Sequence, residues 1–276
     1  MAAARACCDV APALAPANRT GASALFELVE ALPAGAHVLM SLDFAPGAEA
    51  ETQAIAEALI FHALVHSCRV HVMTLWATGE SAAARAIEAS LARSREPRTY
   101  GRDYVVLGFK TGGSGAINAL VTDFRGLMST DVFGAGIDEL EIMRGIARFD
   151  DYALVITVSA GSPGAKEWAQ FAGHRAARGP RIAAAVSAID APTLLPYVPR
   201  SLAALCAGLH GAAEYECLLA RNDTLALAAP STTMSTSRGH RALSLVPAQI
   251  AGETVFLVLI ATALAGRALA SPSASP

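Results

Sequence analysis

Along the chain, short and nearly continuous apolar runs alternate with longer stretches whose apolar residues recur at helical spacing. The first run is His37-Val-Leu-Met-Ser-Leu-Asp-Phe44, which stops at Ala45-Pro-Gly47. The others are Arg69 to Trp76, Asp103 to Phe109, Tyr152 to Ser159 and Arg181 to Ala188. Runs of this length without strict alternation suit strands covered on both faces. The stretches between them predict helices over about 24–32, 48–67, 81–95, 114–128, 137–148 and from Pro163 to about Arg178. Glu49 and Glu51 lie in the first turn of the second, where the helix dipole favours acids. Ser162 and Pro163 read as the N-cap and first residue of the last. Each gap is long enough for a crossover, so hairpins are not expected. The reading is an α/β, Rossmann-like, doubly wound and mostly parallel five-stranded sheet, with helices on both faces and a C-terminal apolar helix.

The ends of the chain read differently. Residues 1–20 are rich in Ala and Pro and predict a disordered tail, with no continuous apolar run of the signal-peptide kind. The α/β domain is expected over 21–220. Its last part, Leu194 to Ala220, reads as mostly helical and is interrupted by Pro196 and Pro199. Ala204, Gly208 and Ala212 are spaced four apart there, which predicts a smooth helix face open to close approach, for an oligomer partner among others. Residues 221–247 form a Ser/Thr-rich linker and 267–276 a tail. Between them, 248–266 is the most apolar stretch, close to the roughly 20 residues a bilayer needs. Glu253 lies near one end of it, where an acid costs less than at the centre. Arg238, His240 and Arg241 before the stretch and Arg267 after it place the main domain on the cytoplasmic side. Membrane attachment through this helix is thus expected, with a soluble cytoplasmic protein as the alternative.

Composition narrows the function classes. Of 276 residues, 53% are hydrophobic and 16% charged, and the net charge is −3. No broad positive field exists, so nucleic acid is not an expected partner. The five cysteines (Cys7, Cys8, Cys68, Cys206, Cys217) include no CxxC spacing, which argues against a zinc site and against a disulfide framework.

In open parallel sheets, ligands bind beyond the strand C-termini at the point where strand order reverses. The polar residues expected at that edge are Asp43, Thr78-Gly-Glu80, Lys110 to Ser114, Ser159 to Ser162, Ser187 and Asp190. A strand order of 2-1-3-4-5 would set Asp43 beside Lys110. An order of 3-2-1-4-5 would set it beside Ser159 to Ser162. The first is preferred, because the Gly-rich turn then coincides with the crevice. Lys110, Gly112, Gly113 and Ser114 form a turn into a helix that can present N–H groups to a phosphate or carboxylate. It matches neither a P-loop, whose lysine follows the glycines, nor a GxGxxG fingerprint. The candidate ligand-binding residues are therefore Asp43, Lys110, Gly112, Gly113, Ser114, Ser159 and Ser162. No cofactor is indicated. His62 and His66 share the inward stripe of a helix at the opposite edge, so they read as packed residues and no metal site is expected. Gly211-Ala-Ala-Glu-Tyr-Glu216 places two acids around a tyrosine, as a solvated helix turn or a site edge.

Four segments carry a resemblance: Ser41-Leu-Asp-Phe-Ala-Pro-Gly47, Asp103-Tyr-Val-Val-Leu-Gly-Phe-Lys-Thr-Gly112, Ser159-Ala-Gly-Ser-Pro-Gly-Ala-Lys-Glu-Trp168 and Gly211-Ala-Ala-Glu-Tyr-Glu216. Over about residues 36 to 220 the chain resembles uncharacterised bacterial and archaeal hypothetical membrane proteins. The resemblance implies apolar helices beside the soluble domain and implies no activity. The expected function is a membrane-tethered α/β domain that binds a small anionic ligand. The alternatives are a hydrolase or transferase in which Asp43, Asp131 or Glu214 meets Lys110, and a scaffold subunit of a membrane complex.

Overall fold

A computed structural model of the chain describes residues 21–175, 179–222 and, beyond them, 242, 245–246, 248–251, 254–255, 257–258 and 261–262. The expected tails at 1–20 and 267–276, most of the 221–247 linker and Glu253 lie outside the described residues.

The apolar runs form strands because both of their faces are covered. β1 (His37–Asp43), β2 (Arg69–Thr74), β3 (Tyr104–Phe109), β4 (Leu154–Ser159), β5 (Arg181–Val186) and β6 (Ala204–Ala207) make one sheet in the order β3-β2-β1-β4-β5-β6. Every pairing is parallel. The sheet has six strands, not the expected five. The added strand is Ala204-Leu-Cys-Ala207, within the segment read as helical. Four small apolar residues are too few for a period of 2 to be told from a period of 3.6. Gly208 follows with φ 62°, a left-handed turn that a helix running through 204–212 would forbid. Ala204 is therefore on a strand, while Gly208 and Ala212 are on the helix after it. All three are buried within the domain, so the smooth helix face expected for a partner is not formed.

One face of the sheet carries α1 (Ala22–Glu30), α2 (Glu49–Val65), α3 (Gly79–Arg93) and α8 (Gly208–Arg221). α2 lies between α3 and α8 over the sheet, and all but its first turn and a few positions are buried. That is why its sequence is apolar all round rather than striped. The other face carries α4 (Ser114–Thr122), α5 (Phe124–Leu127), α6 (Ala165–Phe171) and α7 (Ala191–Leu194). The helix expected over 114–128 is split at Asp123, whose side chain caps α5 by accepting from Gly126 N at 3.1 Å. The one expected over 137–148 is a set of single 3₁₀ turns at 137–139 and 141–143.

The connection lengths are compatible with this strand order. The short crossovers step to a neighbouring strand. The long one, residues 110–153, carries the chain from edge strand β3 past β2 and β1 to β4. The order reverses between β1 and β4, where Asp43 pairs in register with Ser159. The preferred order 2-1-3-4-5 is thus corrected: β2 stands between β1 and β3.

At the opposite edge His62 is packed between helices, while His66 is half-buried with Nε2 at 2.9 Å from the Leu32 carbonyl. His62 is fully buried, with Nε2 at 2.8 Å from Glu30 Oε1 and Nδ1 at 2.7 Å from the Tyr215 hydroxyl. A carboxylate only accepts, so Nε2 carries the proton and Nδ1 accepts from Tyr215. No group of three or more potential metal ligands occurs among the described residues. Cys68 and Cys206 are free and buried, but Cys217 is disulfide-bonded, against the expectation of no disulfide.

Candidate functional site

The C-terminal edge of the sheet is built from four small polar side chains at its centre. Ser41 and Asp43 on β1 lie opposite Thr157 and Ser159 on β4. With a side-chain period of 2, all four point to the same face of the sheet, the one covered by α6. All four are buried. Asp43 accepts from Ser41 Oγ at 2.6 Å and from the Leu75 N–H, on β2's side, at 2.6 Å. Among the described residues the buried Trp168 indole N–H has no acceptor at hydrogen-bonding geometry, and the buried Thr157 hydroxyl has no partner. Trp168 is still close enough to the Asp43 carboxyl to favour its ionised form. Burial outweighs these donors and, with the Glu167 charge, pushes the Asp43 carboxyl up to about 7.

Above this floor, the loops from three strands converge on Pro163. Trp76, after β2, donates its indole N–H to the Pro163 carbonyl at 2.7 Å. Its ring lies over Gly161, where an added Cβ would come within 3.2 Å of it. Gly113, after β3, faces the Pro163 ring. The Lys110 turn and the Ser159–Gly164 loop therefore meet over the sheet, although β2 and β1 separate their strands.

The predicted residues fall into three places. Asp43 lies in the floor. Lys110, Gly112, Gly113 and Ser114 lie together on the β3 side. Lys110 ends β3 through its N–H bond to Thr74 O at 2.9 Å. Its ammonium is half-buried, which lowers its pKa, while the Glu80 charge raises it. It makes no ion pair among the described residues. The turn after it enters α4 through Gly112 and Gly113 at positive φ, with no side-chain cap. The N–H groups of Thr111, Gly112 and Gly113 donate to no protein acceptor among the described residues.

Ser159 and Ser162 lie on the other side, in a recess of about 280 Å³ with Lys166, Glu167 and Asp190. Its polar groups are engaged with one another. Asp190 accepts from Gly161 N at 2.8 Å and from Ser187 Oγ at 3.0 Å. Glu167 accepts from Ser162 Oγ and Gly164 N, both at 2.8 Å, and Ser159 Oγ accepts from Ala165 N at 3.0 Å. The N-terminus of this helix is thus satisfied by Glu167 and Ser159, not by Ser162 as an N-cap. An anion here would compete with two carboxylates.

Asp43 and Lys110 do not converge. Two strand spacings, about 10 Å, separate β1 from β3. Asp131 accepts from the Tyr100 hydroxyl at 2.7 Å, and Glu214 accepts from Ser23 Oγ at 3.3 Å. The acid–base pairing with Lys110 that the enzyme alternative calls for is therefore not made. Trp76, Glu167 and Trp168 join the site without being among the residues expected there. One signal was available: the chain has only two lysines, Lys110 and Lys166, and both stand at this edge. Compared with protein-family models and with curated proteins, the chain matches none.

Proposed function

We propose that this chain is a ligand-binding module that takes a small anion, a carboxylate or a phosphate, at the Lys110 turn. One observation carries the reading. A half-buried ammonium without an ion pair stands beside a glycine turn whose N–H groups have no protein acceptor among the described residues. An anion there would gain charge-assisted hydrogen bonds from N–H groups and from Lys110 together. Gly112 and Gly113 let the backbone present those groups, and Ser114 adds a hydroxyl at the helix start. The contact of Gly113 with Pro163 supports a ligand that also touches the Ser159–Ser162 loop and the ground above Asp43.

Titration with inorganic phosphate and with succinate, followed by amide chemical shifts, tests this. Saturable shifts at 111–114, weakened about tenfold or more in Lys110→Ala, are expected for the loss of one charge-assisted contact. Unsaturable shifts, or an affinity that Lys110→Ala leaves alone, would refute it.

The membrane tether belongs to the same proposal. Among the described residues no helix is long and apolar enough to cross a membrane. What supports attachment is the exposure of apolar helical residues beyond the domain: Ile250, Val255, Leu257 and Val258 are each more than half exposed. Membrane fractionation of the chain with and without residues 243–276 decides it, and identical soluble behaviour of both forms would remove the tether.

A further inference from the structure

A second cavity, of about 290 Å³, lies at the β3 edge between that strand and α3. It exists because α3 covers β2 and leaves the β3 side chains on this face half-covered. Tyr104 and Val106 are only partly buried there. A bulge shifts the β2–β3 register between Val72 and Met73. Gly108 at φ 74° presents no side chain that would fill the space. The outer wall is the loop at 131–136. Val132 N bonds to Val106 O at 2.9 Å, which caps the sheet edge, and Phe133 then stands 77% exposed at the rim.

The lining has a definite chemistry. Its walls are almost wholly apolar, with Val72, Ile87 and Val106 deep in it. Three aromatic rings share one side. Tyr100 stands edge-on to Tyr104 at 5.4 Å and to Phe133 at 5.1 Å. Among the described residues the one charged group in the lining is Glu80. Its Oε1 accepts from Phe109 N at 2.9 Å, and it forms no ion pair among the described residues, Lys110 included. The Tyr100 hydroxyl donates to Asp131, itself held by the N–H groups of Phe133 and Ala135 at 2.9 and 2.8 Å. The phenol is therefore fixed as a donor to a carboxylate, and its ring is part of the cavity lining. Apolar walls bind an apolar body, and ring faces beside a carboxylate attract a poorly hydrated cation.

We infer that this cavity binds a small organic cation, a substituted ammonium whose charge lies among Tyr100, Tyr104, Phe133 and Glu80. A neutral molecule of the same shape would leave the carboxylate and ring faces without a partner. An anion would be repelled by Glu80 and Asp131. The cavity lies beside the Lys110 turn, whose ammonium feels the Glu80 charge, but Lys110 is not in its lining.

Benzyltrimethylammonium and its neutral carbon isostere neopentylbenzene are the probes, titrated against the full chain by calorimetry or amide shifts. The expected result is saturable binding of the cation at Tyr100, Tyr104 and Val132, about tenfold tighter than the isostere. Glu80→Gln keeps the acceptor for Phe109 N and should weaken the cation about five- to tenfold without affecting the isostere. Phe133→Ala, at an exposed position, should weaken the cation about threefold or more. Equal binding of both probes would reduce the site to a plain apolar cavity and overturn the inference. So would no binding at all, or cation binding that survives Glu80→Gln unchanged. The cation is compared with its isostere in the parent chain, and phosphate binding is tested by Lys110→Ala, so the two proposals fail separately.

Discussion

The Trp76 indole N–H donates to the Pro163 carbonyl across 2.7 Å and thereby ties the loop after β2 to the loop after β4 over the end of β1. Trp76→Phe deletes the donor together with the Cζ2 and Cη2 atoms that lie nearest Gly161. A net cost of about 1 kcal/mol is expected, seen as a lower urea midpoint at unchanged slope. A midpoint equal to the parent's would mean that the tie does not stabilise the edge.

Four titratable groups, three of them buried and His37 half-buried, make stability depend on pH in opposite senses. Asp43 ordinarily ionises at 3.8 but at about 7 when folded, chiefly through burial. Its contribution is therefore full below about pH 4 and is lost as pH rises through 7. His37 and His62 are lowered to about 4 and His71 well below 6.5, in each case mainly by burial. The His37 and His62 contributions are present above pH 6.5 and are lost as pH falls through about 4, and that of His71 is lost on acidification below 6.5. Three groups outweigh one, so stability should fall on acidification from pH 6.5 to 4. In Asp43→Asn the fall should steepen, and stability at pH 8 should rise by on the order of 1–4 kcal/mol. Denaturation midpoints from pH 4 to 8 give both slopes, and parallel curves for parent and variant would sink the assignment.

Two glycines at the site edge should respond oppositely to alanine. A Cβ on Gly164 would lie 2.6 Å from Gly161 O and 2.9 Å from the Ser159 Cβ, where neither backbone nor strand can yield. Overpacking of this kind costs about 1–3 kcal/mol. Gly115, in the first turn of α4, has open space around it. Alanine there should stabilise by a few tenths to about 1 kcal/mol. Thermal melts of the two variants against the parent check the signs, and a stabilised Gly164→Ala would show that the loop repacks.

Much of the fold was legible in the chain itself. Apolar runs such as His37 to Phe44 could only be strands covered on both faces, and the helical stretches between them required crossovers. His62 was legible as a packed residue because helix geometry puts it on the inward stripe at the far edge. The site was legible only as a set of strand ends. Lys110 and its glycines are neighbours in sequence, so their grouping needed no tertiary information. Their relation to Asp43 did.

Local patterning determined what each segment is, because burial on one or two faces leaves a period in the residues that form it. Where four residues carry no period, as in Ala204 to Ala207, the neighbouring strand and the turn at Gly208 decided. Strand order was also decided only in three dimensions. The connection at 75–103 is long enough to carry β3 to either side of the β1–β2 pair, and nothing in its residues records which side it takes. That choice put β2 between Asp43 and Lys110, paired Asp43 with Ser159, and left the Lys110 turn to meet the β4 loop through Gly113 and Pro163.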